Sequence, residues 1–346
     1  MDKEKLDALR KKYGEAKGGD IFNPKFKKVA EKLFSGGDNR TLPYANPPTL
    51  LDAPYRPCAV ENGNLDGIDV ALVGVPTDIA VTNRTGARFG PRAMRALERI
   101  GPYNHVLNCI PSADLNVADT GDVPFRARFD QTSIIEDIET HYQKIVEAGA
   151  MPLTAGGDHS ISYPILKAVG RDRPVGMIHI DAHADTAGEF DGSKFHHGGP
   201  FRLAVLDGVL DPERTIQIGI RGSAEFLWDF SYDSGMTLVH AEKFEEQGAS
   251  AVAEMALSVV GDGPVYISFD IDSIDPGFAP GTGTPEVAGL TPRQVLDLLH
   301  GLKGVDVVGG DVVEVAPQYD ATTNTAQVAT QVMFELLCLI ALRNKS

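Results

Sequence analysis

The sequence predicts an α/β fold: a single three-layer α/β/α domain on a doubly wound, mostly parallel sheet, led by an N-terminal arm. Three observations carry that expectation. The 346 residues are 42% hydrophobic and 23% charged, which suits one large globular unit or two units of about 150 residues each. From Ile68 onward, short Val- and Ile-rich runs alternate with longer amphipathic ones, the pattern left by parallel strands and the helices that cross between them. No internal repeat and no low-complexity linker divides residues 66–346, so a second independent domain is not expected.

Residues 1–65 read as the arm. Met1 to Lys12 is charged and amphipathic, and the run from Asn39 to Pro57 is rich in Pro and Asn, so one or two short helices with a packing or contact role are expected. Strands are predicted at Val70–Gly74, Met151–Ala155, Val175–Ile180, Thr215–Ile218, Thr237–His240, Val265–Phe269 and Val305–Val313. Helices are predicted over Pro91–Ile100, Ser133–Ala148, Tyr163–Ala168, Ala251–Val259, Pro292–Leu302 and Ala326–Leu342. A glycine-rich turn, Gly86 to Pro91, opens the first of these, with proline at the helix start.

The 48 acidic and 32 basic side chains leave a formal charge of −16. That balance repels nucleic-acid phosphates and anionic membranes at long range and attracts a small cation. Cys58, Cys109 and Cys338 are scattered, which indicates neither a disulfide framework nor a thiolate metal site and fits a reducing cytoplasm. The start of the chain lacks the apolar core of a signal peptide. The apolar stretch from Val332 to Leu342 is interrupted by Glu335 and reads as too short to span a bilayer.

Chemistry concentrates where predicted strands end, and in open α/β sheets the ligand crevice lies outside those carboxyl ends. Gly156-Gly157-Asp158-His159-Ser160 follows one strand, Asp181-Ala182-His183-Ala184-Asp185 a second, and Asp270-Ile271-Asp272 a third. In the last two the polar residues recur at every second position, which in extended chain points them to one side. Such carboxylates repel one another and resist burial unless cations intervene. Four aspartates, 181, 185, 270 and 272, balance two divalent ions. Carboxylate and imidazole donors without thiolate suit Mn²⁺ best, with Ni²⁺, Co²⁺ or Zn²⁺ as alternatives.

The chain resembles the ureohydrolases, the family of arginase, agmatinase and guanidinobutyrase. The likeness runs from about Ile68 to the C-terminus. It rests on Gly74-Val-Pro76, Thr82-Asn-Arg84 through Pro91, Gly156 to Ser160, Asp181 to Asp185, Ser268 to Pro276, Gly281 to Pro285 and Asp311 to Pro317. The resemblance implies a binuclear centre, usually manganese. His159, Asp181, Asp185 and Asp270 would hold one ion; Asp181, His183, Asp270 and Asp272 would hold the other, with Asp181 and Asp270 shared. The implied reaction is metal-dependent hydrolysis of a guanidino compound to an amine and urea. Glu314 is then expected to pair with the guanidinium, because a carboxylate accepts two parallel N–H bonds. His197, in His197-Gly-Gly-Pro-Phe-Arg202, is expected to supply the proton for the departing nitrogen. Asp158 and His196 are the remaining catalytic candidates.

The sequence departs from the family pattern at a doubled histidine, His196-His197, and at Gly199, where threonine or a similar polar residue is common. Either histidine fits the proton-shuttle role. The Thr82 and Asp311 segments resemble agmatinases and guanidino-acid hydrolases more than arginases, which favours a short-chain or decarboxylated substrate. The altered loop leaves a compact or N-alkylated guanidine, such as guanidine or a biguanide, as the alternative. Two readings compete with the ureohydrolase: a deacetylase on the same fold, disfavoured by Asp272 and Glu314, and a non-catalytic partner of an active paralogue, disfavoured by the complete ligand set. The resemblance also implies a trimer or hexamer. His179, inside a predicted strand, reads as a core histidine.

Overall fold

Short, largely apolar runs are hidden on both faces only within a sheet covered on each side. In a computed structural model, which describes residues 1–17, 20–24, 27–28, 47–97, 102–222 and 225–343, the runs read as strands form such a sheet. Its strands are β1 (Val70–Gly74), β2 (Val117–Asp122), β3 (Met151–Ala155), β4 (Val175–Ile180), β5 (Leu210–Ile220), β6 (Thr237–His240), β7 (Val265–Asp270) and β8 (Val307–Val313). The helices in chain order are α1 (Lys3–Tyr13), α2 (Gly90–Arg95), α3 (Pro111–Asp114), α4 (Gln131–Glu147), α5 (Ser162–Val169), α6 (Pro200–Leu206), α7 (Asp229–Ser234), α8 (Ala241–Val260), α9 (Pro292–Gly301) and α10 (Asn324–Leu342).

The eight strands lie in the order β2-β1-β3-β8-β7-β4-β5-β6 and every pairing is parallel. Alternate residues serve opposite layers. Val70 and Leu72 of β1 join one core with Ile178, Phe269 and helices α8, α9 and α10, whereas Ala71 and Val73 join the other with Met177 and helices α4, α5 and α6. From β4 the chain moves to β5 and β6 on one side, and from β7 it moves to β8 on the other. The neighbours β4 and β7 therefore diverge at their carboxyl ends and open a crevice there.

The predicted three-layer architecture is the one observed, with differences in its elements. β2 was not anticipated: Val-Ala-Asp-Thr-Gly-Asp carries little apolar signal, and it forms the sheet edge because Arg95 bonds both oxygens of the buried Asp119, at 2.8 and 2.9 Å. α8 begins ten residues before the predicted Ala251, with left-handed Gly248 (φ 79°) interrupting it, so the periodic signal covered only the later part. α2 ends at Arg95, short of the predicted Ile100; residues 98–100 lie outside the described ones. α3, α6 and α7 are short helices the sequence pattern did not reveal.

The chain divides into two compact units, Met1–Arg40 and Thr41–Ser346. In the first, α1 is capped by Asp2, whose carboxylate accepts the Glu4 N–H, and none of its residues is buried. Leu50, Ala59, Val60 and Leu65, assigned to the arm by sequence, are buried among the core clusters of the second. The part of the Asn39–Pro57 run up to residue 46 lies outside the described residues. α10 is longer than the apolar stretch read from the sequence, and by length and composition it meets the requirement for a membrane span. Its residues are instead buried on nearly every side, in the sheet-facing core.

Candidate metal centre

The loops that leave β3, β4 and β7 deliver the three acidic and histidine groups to one crevice. The β3 loop passes close to the backbone of residue 77: a Cβ on Gly157 would lie 1.8 Å from the Thr77 carbonyl oxygen, so glycine is required there. This close passage sets His159 in the middle of the cluster, fully buried.

The proton on His159 is fixed by its neighbours. Ser268 Oγ donates to Asp311 Oδ1 at 2.7 Å, so it accepts at 2.8 Å from His159 Nε2–H. In the neutral ring Nδ1 therefore carries the lone pair. It faces Asp185 Oδ2 at 2.9 Å, Asp181 Oδ2 at 3.1 Å and Asp270 Oδ2 at 3.3 Å, and no hydrogen bond satisfies it. In that tautomer four acceptors converge, an arrangement that calls for a cation among them, either a proton or a metal ion. Donors about 2.1 Å from a hard cation and at right angles lie about 3.0 Å apart, so these separations fit ligands of one ion. Without a cation, burial and then Asp272 and Asp181 push the Asp270 carboxyl well above the usual range. Burial disfavours a charged His159, but the three carboxylates outweigh it and raise its pKa well above the ordinary value.

A second group lies alongside. His183 Nδ1 is 3.1 Å from Asp272 Oδ2 and 3.6 Å from Asp181 Oδ1. The two oxygens of Asp181 thus face different groups, Oδ2 towards His159 and Oδ1 towards His183, the arrangement a shared ligand needs. Burial pushes this carboxyl up, yet the imidazoles of His179, His159 and His183 pull it well below the usual range. Asp270 Oδ1 accepts the Asp272 N–H at 2.8 Å. The loop carrying Asp272 is held by the buried Arg221, which donates to the carbonyls of Asp272 (2.6 Å), Glu286 (2.8 Å) and Gly219 (3.1 Å). The structure therefore brings His159, Asp181, His183, Asp185, Asp270 and Asp272 together.

Beneath the aspartates runs a row of polar side chains that sequence reasoning missed. Strand register aligns Thr154 with Asp311, Asp311 with Ser268, Ser268 with His179, and His179 with Gln217. Asp311 Oδ2 also accepts from Ser162 Oγ (2.6 Å) and Tyr266 OH (2.8 Å). His179 is buried, as expected of a core residue, but its Nε2 lies 2.8 Å from Asp181 Oδ2. The signal available in the sequence was the two-residue spacing of His179 to Asp181 and of Ser268 to Asp270, which puts each pair on one face of a strand.

Glu314 follows β8. Its Oε1 accepts the His159 N–H at 3.0 Å and lies 2.9 Å from His197 Nδ1, while Oε2 is buried with no partner. Glu314 (φ 61°) and Asp185 (φ 51°) both adopt left-handed backbone, which costs a non-glycine residue about 1–3 kcal/mol and is retained where surrounding structure enforces it. His197 Nε2 has two partners on Thr82: the backbone N–H at 3.0 Å, a donor, and Oγ1 at 2.8 Å, which also accepts. The ring thus has a partner at Nε2 whether neutral or charged. Burial lowers its pKa, but Glu314, Asp185 and Asp158 reverse this and raise it to about 9.

The two histidines of the doubled pair differ in surroundings. His197 meets Glu314, whereas His196 Nε2 donates to the Gly188 carbonyl at 2.7 Å, across its own loop. A Cβ on Gly199 would stand 3.2 Å from the His196 ring and 3.0 Å from the Ala187 carbonyl oxygen, so the missing side chain at 199 makes room for the extra imidazole. Asp158 spends its carboxylate on loop backbone: Oδ1 accepts the Ser160 N–H at 3.0 Å and Oδ2 the Ala80 N–H at 3.3 Å. Burial, then Glu314, raises its pKa to about 6.

A model of the arginase family matches residues 68–338. The chain is 47% identical to a guanidinopropionase of Pseudomonas aeruginosa over 278 residues, 79% of this chain and 87% of that one. It is 48% identical to a mitochondrial agmatinase of Gallus gallus over 279 residues, 80% of this chain and 82% of that one. The proclavaminate amidino hydrolase of Streptomyces clavuligerus has a similar solved structure, with TM-score 0.82 and 37% identity, covering 87% of this chain and 99% of that one.

Proposed function

This chain belongs to the arginase family, and from that premise we propose how it hydrolyses a guanidino compound to an amine and urea. The observation that carries the proposal is the buried Nδ1 of His159, within 3.3 Å of three carboxylate oxygens and with no hydrogen bond to satisfy it, a place for a proton that a metal ion would displace. Two divalent ions complete such a donor set, one among His159, Asp181, Asp185 and Asp270 and the other among His183, Asp181, Asp270 and Asp272. The oxygen- and imidazole-rich donors favour Mn²⁺, with Ni²⁺ as the alternative. When bound, such ions lower the pKa of water from about 15.7 towards about 7 and so supply a nucleophile at neutral pH.

The other roles fall to the chain's own groups. The unpaired Glu314 Oε2, beside an Oε1 already ordered by the His159 N–H, accepts the substrate guanidinium and orients its central carbon. His197 hands the departing amine a proton and recovers one through Thr82, which is exposed to solvent. Asp158 positions the β3 loop and His196 the loop of residues 188–199. Burial of these groups keeps bulk water from competing for the guanidinium.

The relatives that hydrolyse agmatine or short guanidino acids support a substrate of that kind over arginine. The His196–Gly199 packing supports the alternative of a compact or alkylated guanidine, since it fills the loop rather than opening it. The scattered cysteines at 58, 109 and 338, which form no disulfide with one another, support a cytoplasmic setting, and the family resemblance supports a homo-oligomer, which sedimentation would measure. The deciding experiment is a urea-release screen over agmatine, 4-guanidinobutyrate, 3-guanidinopropionate, arginine, guanidine and alkylated guanidines, repeated with Mn²⁺ and Ni²⁺. Urea from at least one of these is expected; none with either metal sinks the proposal.

A further inference from the structure

We propose that His179 and Gln217 are positioning residues that fix the shared carboxylate of Asp181, by locking one tautomer of a buried imidazole behind it. The inference rests on the reading of Asp181 as a ligand of both ions. It starts from the amide of Gln217. Gln217 Nε2 donates to the Ala184 carbonyl at 2.6 Å, and because a carbonyl only accepts, the amide has one orientation. Its second N–H then points at His179 Nδ1, 3.0 Å away, which must accept. The ring proton is left on Nε2, where it is donated to Asp181 Oδ2 at 2.8 Å.

The chain of bonds is Ala184 carbonyl, Gln217 amide, His179 ring, Asp181 carboxylate, all within buried structure. It persists although Gln217 Oε1 is left buried without a partner. Sheet register supplies the rigidity: His179 and Gln217 are paired positions of β4 and β5, and the Phe201 ring lies 4.4 Å from the His179 ring. With both ring nitrogens engaged, His179 has no lone pair free for a metal, so its nearness to His159 and Asp181 does not make it a ligand. What it contributes is direction. Asp181 Oδ2 receives the His179 N–H and Oδ1 the His183 backbone N–H at 2.6 Å, so each oxygen is aimed by one donor and keeps a lone pair for one ion.

The test is Mn²⁺ binding to the full-length protein, followed by the electron paramagnetic resonance signal of free Mn²⁺, with metal content measured separately. Wild type is expected to bind two ions per chain. His179→Phe, which keeps a ring and removes the donor, should still reach two ions at saturation but with affinity about 10- to 100-fold weaker. His179→Gln, whose amide N–H reaches the same point, should recover most of that loss. Gln217→Met, which releases the tautomer, should weaken binding in the same direction and carries the test if His179→Phe does not fold. At saturating Mn²⁺ the variants should lose kcat with KM unchanged, because Glu314 is untouched. Affinities within twofold of wild type in both His179→Phe and Gln217→Met would overturn the proposal. So would a fall to one ion per chain in His179→Phe, which makes His179 a ligand, or no recovery in His179→Gln. A wild-type protein that binds neither Mn²⁺ nor, by metal content after loading, Ni²⁺ overturns the metal-site reading beneath it, and this proposal with it.

Discussion

On the proposed assignment of Glu314 to the guanidinium, Glu314→Gln should separate substrate recognition from metal binding. The change keeps shape and removes one charge. Glu314 Oε1 accepts from the His159 N–H at 3.0 Å and meets His197 Nδ1 at 2.9 Å, and an amide oxygen in that position accepts both. The amide nitrogen then falls where Oε2 is now, buried and unpaired. A donor faces the guanidinium where an acceptor is needed. Removing one partner of a buried, charge-assisted pair costs about 3–5 kcal/mol, which at about 1.4 kcal/mol per decade is roughly a 10²- to 10⁴-fold loss in kcat/KM. The assay is urea release at saturating Mn²⁺, with metal content measured on the same sample. The expected variant holds two ions per chain and is nearly inactive. Activity within tenfold of wild type, or loss of metal with activity, would refute the assignment of Glu314 to the guanidinium.

Asp181→Asn and Asp270→Asn should each lower bound metal and turnover together, because an amide in either place removes a charge from the ions' shared environment; elemental analysis showing both at wild-type levels contradicts their role. Gly199→Thr should destabilise the fold by about 1–3 kcal/mol through overpacking against the His196 ring and the Ala187 carbonyl, and less in a His196→Ala background, as urea unfolding of the two single variants and the double variant would measure. Burial, with Lys144 adding to it, lowers the His141 pKa from 6.5 to about 4, so its neutral ring stabilises the fold fully above pH 6.5 and that stability is lost as pH falls towards 4. The swing is about 3 kcal/mol, and His141→Phe should remove it, so unfolding of metal-free protein at the two pH values should show the variant gaining on wild type. An unchanged gap contradicts the buried neutral state.

Much of this was legible in the sequence because it is local. β1, β3, β4 and β6 are short apolar runs with Gly, Pro or charged residues beside them, and their predicted bounds coincide with the observed ones. Asp181-Ala-His183-Ala-Asp185 was legible as a group of ligand-type side chains, but the expected extended alternation is not what gathers them: residues 181–183 form bends, Asp185 is left-handed (φ 51°) and Asp272 lies in the tight turn Ile271–Ser273. β2 was illegible because a salt bridge from Arg95, distant in sequence, stabilises it in place of apolar side chains. The row from Thr154 to Gln217 was illegible for a related reason: it exists only once β3, β8, β7, β4 and β5 are neighbours, and strand order is not written in any one strand. His179 looks like a core residue from its own strand, and its bond to Asp181 gains a direction only when Gln217 is beside it. The different surroundings of His196 and His197 likewise needed Glu314, more than a hundred residues away in the chain, to come alongside His197.

Anomalous diffraction at the manganese edge from Mn²⁺-loaded crystals tests the binuclear centre most directly. Two peaks per chain are expected, one against His159 Nδ1 and Asp185, the other against His183 Nδ1 and Asp272, with Asp181 touching both. A single peak, or peaks away from the ends of β4 and β7, would contradict it.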